Sequence, residues 1–297
     1  MAAQYRDGAH LLVKIQRQLS SILKEKQESV TGTIGNCLRL RRIIVLLFVC
    51  CVIGANAQES KDVTTCPESY FLKLGDVANS LELLPTPPEQ SSTRFKYDEE
   101  RYLWGKKQRE TPRGNQAAAD ANLEGEGVPL AFSESFGIQI SKDQTPEIYR
   151  LVLKMREDAG DLACRLAKRH YMRVRPFTYY KEQTCNPTQQ QELSSNGSYP
   201  SGHTAIGWAT ALVLAEINID RQNEILKRGY EMGESRVICG YHFQSDVDAA
   251  RLVASAVVAR LHADKGFMKQ LAKAKKEFNR LMKDGKVVLS TRHNKQY

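Results

Sequence analysis

The sequence predicts an all-α fold, a single compact helical domain with a buried central helix that follows an N-terminal signal segment. Three observations predict it. Alternating strand patterns are nearly absent from the chain. Several segments repeat their apolar residues at spacings of three and four, the period of a helix with one buried face. One stretch, from Ala205 through Ile217, is apolar nearly all round, as a central helix must be.

The elements follow in chain order. Arg39, Arg41 and Arg42 precede an apolar run from Ile43 to Gly54 and then Ala55-Asn56-Ala57, the layout of a secretory signal peptide cleaved near Ala57. A run of that length reaches about 18 Å as a helix, short of a hydrocarbon core of about 30 Å, so export to the periplasm or beyond is expected rather than anchoring. The residues before it exceed an ordinary basic leader, and a translation start near Ile34, Leu38 or Leu40 would restore one. From Gln58 to about Gly127 the chain is polar, with a turn at Leu84-Pro85-Thr86-Pro87-Pro88, and reads as loops and short helices.

Thr145-Pro146-Glu147 opens a helix whose apolar positions are Ile148, Leu151, Met155, Ala159, Leu162 and Leu166. The central helix begins around His203. Asp220 is expected to cap the next, and Ser245-Asp246-Val247-Asp248 to open a further one through Leu252, Val253, Val257, Val258 and Leu261. From Lys265 a basic tail carries Phe267, Met268, Leu271, Phe278 and Leu281, which predicts a surface helix and then a frayed end. The chain thus divides into an extension and signal (1–57), a main domain (58–264) and a basic helix and tail (265–297).

Charge is uneven. Residues 1–57 carry a net +5 and residues 265–297 a net +8, so of the total of +9 the middle holds about −4. A mildly acidic body argues against a nucleic-acid-binding domain, whose lysines and arginines would lie on the folded surface. Loss of the signal leaves Cys66, Cys164, Cys185 and Cys239, an even number for an oxidising compartment, with three connectivities open. None forms a C-x-x-C pair, which disfavours a zinc or redox motif.

Three segments place phosphate-binding residue types beside glycine, proline or histidine. They are Lys168 with Arg175-Pro176, then Gly197-Ser198-Tyr199-Pro200-Ser201-Gly202-His203-Thr204, and Ser235-Arg236 followed by His242 and Asp246. A phosphoryl group in transfer spreads negative charge over three oxygens, and fixed cations stabilise it. Arg175 and Arg236 can each grip two oxygens, Lys168 adds a point charge, and Ser201 a hydroxyl. Gly202 lets the backbone approach at a helix N-terminus. An imidazole attacks through one nitrogen only when the other holds the proton, and Asp246 lies one helical turn beyond His242. Asn196-Gly197-Ser198 matches a glycosylation sequon, but a glycan there would obstruct this loop. His170, His262 and His293 read as core or exposed residues.

The order K-x6-R-P, P-S-G-H, S-R-x5-H-x3-D resembles the signature of the phosphatidic acid phosphatase type 2 and vanadium haloperoxidase superfamily. Within it, Gly197 to Thr204 and Glu234 to Ala249 resemble the bacterial class A non-specific acid phosphatases, over roughly Ser69 to Ala274. The resemblance implies a secreted hydrolase of phosphomonoesters with His242 as nucleophile, His203 as general acid and Asp246 orienting His242. It also implies a phosphohistidine intermediate, no cofactor or metal, phosphotransfer to alcohols, and inhibition by phosphate and vanadate. If the three motifs converge on one phosphate, Cys185 comes beside Cys239, and Cys66 is left to pair with Cys164. A vanadium-dependent haloperoxidase is the alternative, with vanadate in the same pocket on His242. A lipid phosphatase is disfavoured because the mature chain offers no membrane span, and an anion-binding module without turnover remains the rival from outside enzymology.

Overall fold

The computed structural model describes residues 70–123 and 125–288. The signal segment, its cleavage site at Ala57 and Cys66 lie outside the described residues. The fold is all-α, with no strand among the described residues. Of these helices, none is long and apolar enough to cross a membrane.

The central helix α9 (Gly202–Ile217) is capped by Ser201, whose hydroxyl accepts the Thr204 N–H at 3.3 Å. Its small residues let neighbours come close. A Cβ on Gly229, in α10 (Gln222–Ile238), would lie 2.3 Å from the Ala211 Cβ, so only glycine permits this packing of α10 on α9. Helix α11 (Gln244–Leu261) packs against α9 as well. The expected cap at Asp220 is corrected, since Asp220 sits inside a 3₁₀ turn (Ile219–Arg221) and Arg221 is the N-cap of α10.

The opening of α11 also starts earlier than Ser245. Asp246 accepts the Phe243 N–H at 2.8 Å, so Phe243 is the N-cap, while the Ser245 hydroxyl turns to Asp98 at 2.6 Å. The basic helix α12 (Lys265–Lys283) has one deeply buried face, with Phe267, Leu271, Phe278 and Leu281 in the main core and α5 (Pro146–Glu157) against it. Glu277, among its lysines, accepts the N–H groups of Glu147 and Ile148 at the start of α5.

The helix predicted to run on through Leu166 is interrupted. After α5 a π-helical turn (Asp158–Leu162) leads into α6 (Ala163–Tyr171). Its wider turn shifts the buried stripe, so Cys164 and Ala167 face inward while Leu166 is only partly buried. The turn also brings Gly160 against the start of α9, where a Cβ on Gly202 would lie 2.9 Å from the Gly160 oxygen. Asp158 accepts the N–H groups of Phe71 and Leu72 at 3.1 and 2.9 Å, and burial pushes its carboxyl up to about 6.

Helix α2 (Thr93–Gln108) is longer than the short helices expected before Gly127. Its buried positions, Phe95, Asp98, Tyr102 and Gly105, have helical spacing, but only two are large and apolar. A buried carboxylate and a glycine conceal the stripe from a hydrophobicity reading.

Cys185 and Cys239 form a disulfide across a sequence separation of 54. Cys164 is a free thiol, fully buried on the inner face of α6, with its Sγ 3.5 Å from the Ala159 oxygen, and its expected partner Cys66 lies outside the described residues. Burial pushes that thiol up to about 12. Closing a loop of this size in the unfolded chain is worth about 4 kcal/mol by loop-closure entropy. Replacing both Cys185 and Cys239 by Ser is therefore expected to lower stability by about that much in urea denaturation, whereas Cys164→Ser is expected to cost only what a buried hydroxyl demands. An unchanged midpoint for the double variant would contradict this.

Candidate active site

Each motif sits where an element begins or ends. Helix α6 brings in Lys168 and stops at Met172, which adopts a left-handed conformation with φ of 41°. The chain then runs extended into α7 (Pro176–Tyr179), and alternation turns Arg173 and Arg175 inward while Val174 is 54% exposed. The loop from Ser198 to Gly202, which contains a cis Tyr199–Pro200 peptide, ends at the N-terminus of α9. Helix α10 contributes Arg236 near its C-terminus, the turn after it His242, and the first turn of α11 Asp246.

The cations differ in how they are held. Lys168 donates to the Gly197 oxygen at 2.8 Å. Arg175 donates through Nε to the oxygens of Leu193 and Asn196 at 2.8 and 3.1 Å, and its Nη1 lies 3.0 Å from His242 Nε2. Arg236 is 1% exposed, and its Nε, Nη1 and Nη2 have no hydrogen-bond partner among the described residues. The face of Tyr241 lies 4.1 Å from the guanidinium carbon. A buried cation whose donors lack protein partners has the chemistry to take an oxyanion.

The pocket's electrostatics agree. Burial, and then Arg175, pushes the Lys168 ammonium down to about 7. Burial, partly offset by Asp246, takes Arg175 down to about 10, and burial with crowding from Arg175 takes Arg236 to about 9. His203 is held well below its ordinary value by burial and then by Arg236 and His242, and His242 by burial and then Arg175. Burial leads each of these shifts, neighbouring cations add to it for Lys168, Arg236, His203 and His242, and a bound oxyanion would oppose it.

Asp246 is the exception. Burial alone would raise its carboxyl, but the ion pair with Arg173 brings it well below the usual range. Its Oδ2 lies 3.5 Å from His242 Nδ1 and accepts the Ser198 hydroxyl and the Phe243 N–H. Arg173 in turn donates to Asp98 at 2.8 Å, and Asp98 accepts the Ser245 N–H at 2.8 Å. His203 lies apart from this chain, with Nε2 3.2 Å from the Ala121 oxygen.

The sequence-predicted residues Lys168, Arg175, Ser201, Gly202, His203, Arg236, His242 and Asp246 therefore meet at the ends of α6, α9, α10 and α11. Sequence reasoning missed Arg173, Asp98 and Ser198 as members of the cluster. The extended stretch between Lys168 and Pro176 carried a usable signal for Arg173, two residues before Arg175. Ser198 was read only as part of a loop and a sequon, and Asp98 lies in a polar helix without any signal.

Helices converging on a buried cationic pocket define a class, and residues 159–267 match the PAP2 superfamily. The chain is 57% identical over 236 residues to the non-specific acid phosphatase of Providencia stuartii, covering 80% of this chain and 95% of that one. It is 43% identical over 201 residues to the non-specific acid phosphatase of Salmonella typhimurium (68% and 80% covered), and 33% identical over 204 residues to the acid phosphatase of Zymomonas mobilis (68% and 76%). The chain belongs to the bacterial class A non-specific acid phosphatases, and it is an enzyme that hydrolyses phosphate esters.

Proposed function

We propose that the protein is an exported acid phosphatase that cleaves a broad range of phosphomonoesters through a phosphohistidine intermediate on His242. The observation that carries this reading is the Arg236 guanidinium, buried and without a hydrogen-bond partner among the described residues, beside Arg175 and Lys168. In this reading those three cations, the Ser201 hydroxyl and the Gly202 N–H bind the phosphoryl oxygens. His242 Nε2 attacks phosphorus, the ester P–O bond breaks, and the departing oxygen takes a proton from His203. Neutral His203 then removes a proton from water, which attacks the phosphohistidine and releases phosphate. An alcohol in place of water gives phosphotransfer. Asp246 keeps the His242 ring oriented and stabilises the charge it acquires.

Proton linkage explains why such a site favours acid. His203 Nε2 faces a carbonyl oxygen, an acceptor only, so Nε2 carries its proton and Nδ1 is the atom that titrates. Burial and then Arg236 hold the ring well below its ordinary value, so it is neutral near pH 7. A phosphoryl dianion cancels that field and raises the ring's proton affinity, and a falling pH completes the charging that general-acid catalysis needs. Broad substrate range follows because the proposed grip is on the phosphoryl group alone, and the arginine-led leader with Ala57 supports export.

The test is hydrolysis of p-nitrophenyl phosphate by purified protein. Activity is expected to survive EDTA, since Lys168, Arg175 and Arg236 supply the positive charge, and vanadate is expected to compete more strongly than phosphate because its five-coordinate form resembles the transition state. Loss in EDTA with rescue by zinc or magnesium, or peroxide-dependent bromination with vanadate in place of hydrolysis, would overturn the reading.

A further inference from the structure

We propose that Ser198 is a positioning residue for the nucleophile, its hydroxyl bridging His242 Nδ1 to Asp246 within a carboxylate–arginine clamp closed by Arg173 and Asp98. The proposal rests on the reading of His242 as nucleophile.

The proton positions follow from donor chemistry. A guanidinium has no acceptor, so Arg175 Nη1, 3.0 Å from His242 Nε2, must donate to the ring's lone pair. Nε2 is therefore bare and Nδ1 carries the proton. Two oxygens are near Nδ1, and the Ser198 Oγ at 3.3 Å is closer than Asp246 Oδ2 at 3.5 Å. Asp246 is held as a carboxylate, an acceptor only, so the short contact between Ser198 and Asp246 Oδ2 has the serine O–H as donor. His242 Nδ1–H then donates to Ser198, with Asp246 Oδ2 as the farther acceptor, and Ser198 O–H donates to Asp246. When Nε2 bonds to phosphorus the ring becomes cationic, and its charge is delivered through Ser198 to Asp246 with no proton changing owner.

The far side of Asp246 is rigid. Arg173 spans Asp246 and Asp98, two carboxylates with no exposed side-chain surface, and donates to the Ser245 hydroxyl at 2.7 Å. The two carboxylates more than offset the burial of the guanidinium, so its proton affinity is raised. Ser198 is anchored by its own backbone, whose N–H donates to the Arg173 oxygen at 2.8 Å. The same short segment thus supports both the serine and the carboxylate it bridges to.

Ser198→Ala and Ser198→Thr in the full-length enzyme test this, with p-nitrophenyl phosphate kinetics and ¹⁵N NMR of the His242 ring, assigned by its absence in His242→Ala. The wild-type ring is expected as one tautomer, protonated at Nδ1. Ser198→Ala is expected to leave the tautomer, which Arg175 sets, but to shift the Nδ1–H resonance and to lower kcat by roughly ten- to a hundredfold with KM little changed, as losses of outer supporting partners do. Ser198→Thr, which keeps the hydroxyl, is expected to restore both. Wild-type kcat in Ser198→Ala, or a fall in kcat with the Nδ1–H resonance unmoved, would overturn the bridge. If Ser198→Ala does not fold, Ser198→Cys keeps the volume with a weaker donor and carries the same readouts. The nucleophile reading fails separately, through activity retained in His242→Ala, whereas the ring resonance is measured on the free enzyme, independent of turnover.

Discussion

His242→Ala is expected to bring hydrolysis of every phosphomonoester to near background, a loss on the order of 10⁵- to 10⁶-fold in kcat, as when the nucleophile is removed from a covalent mechanism. The ring is 1% exposed and lies between Arg175 and the Ser198–Asp246 pair, so no neighbouring group can take over its attack. A good leaving group gives no relief, because without a nucleophile no first step occurs. His203→Ala is expected to behave differently. Loss of a general acid costs roughly 10²- to 10⁴-fold for alkyl phosphates, whose alkoxide needs a proton, and much less for p-nitrophenyl phosphate. Quenching in base should retain a phosphorylated His203→Ala protein wherever its hydrolysis is slowed more than its formation. If His203→Ala abolished activity uniformly and His242→Ala displayed the leaving-group dependence, the two roles would be exchanged.

Arg236→Met is expected to make the free enzyme more stable and nearly inactive. Three buried nitrogens without partners each cost about 1–3 kcal/mol, against which the stacking on Tyr241 returns up to about 2 kcal/mol, so removing the charge wins. For a domain of this size that amounts to a rise of a few degrees in Tm. Phosphate at a hundred times its Kd is worth about 2.7 kcal/mol to the wild type, and the variant is expected to lose most of that protection. Its kcat/KM is expected to fall by about 10³-fold, as when a fixed donor to a developing oxyanion is deleted. Thermal melts with and without phosphate decide the matter. A variant that melts lower than the wild type, yet is still protected by phosphate, would mean that Arg236 belongs to the core rather than to the anion site.

Much of the site was legible because its chemistry needs particular residue types at particular places. Arg175-Pro176, Ser201-Gly202-His203 and Arg236 with His242 and Asp246 each combine a charge or imidazole with a residue that shapes the backbone, and the structure draws all of them together. The central helix was legible from Ala205 to Ile217 because burial on every side leaves no polar face. The Cys185–Cys239 bridge was legible because both cysteines flank segments of the site.

Other features were decided in three dimensions. Cys164 faces the core because the π turn at Asp158–Leu162 rotates it inward, a change of phase that a regular helical period does not contain. Helix α2 buries Asp98 among Phe95 and Tyr102, and that carboxylate looks like a solvent-facing charge until Arg173 and Ser245 arrive from elements some 75 and 147 positions away. Local periodicity and short motifs report what a residue does with its own backbone and its near neighbours. The partners around His242, from Ser198 through Asp246 to Arg173 and Asp98, are chosen by where α2, α6 and α11 come together, so sequence alone singled out the candidate groups and only the tertiary structure decided what surrounds them.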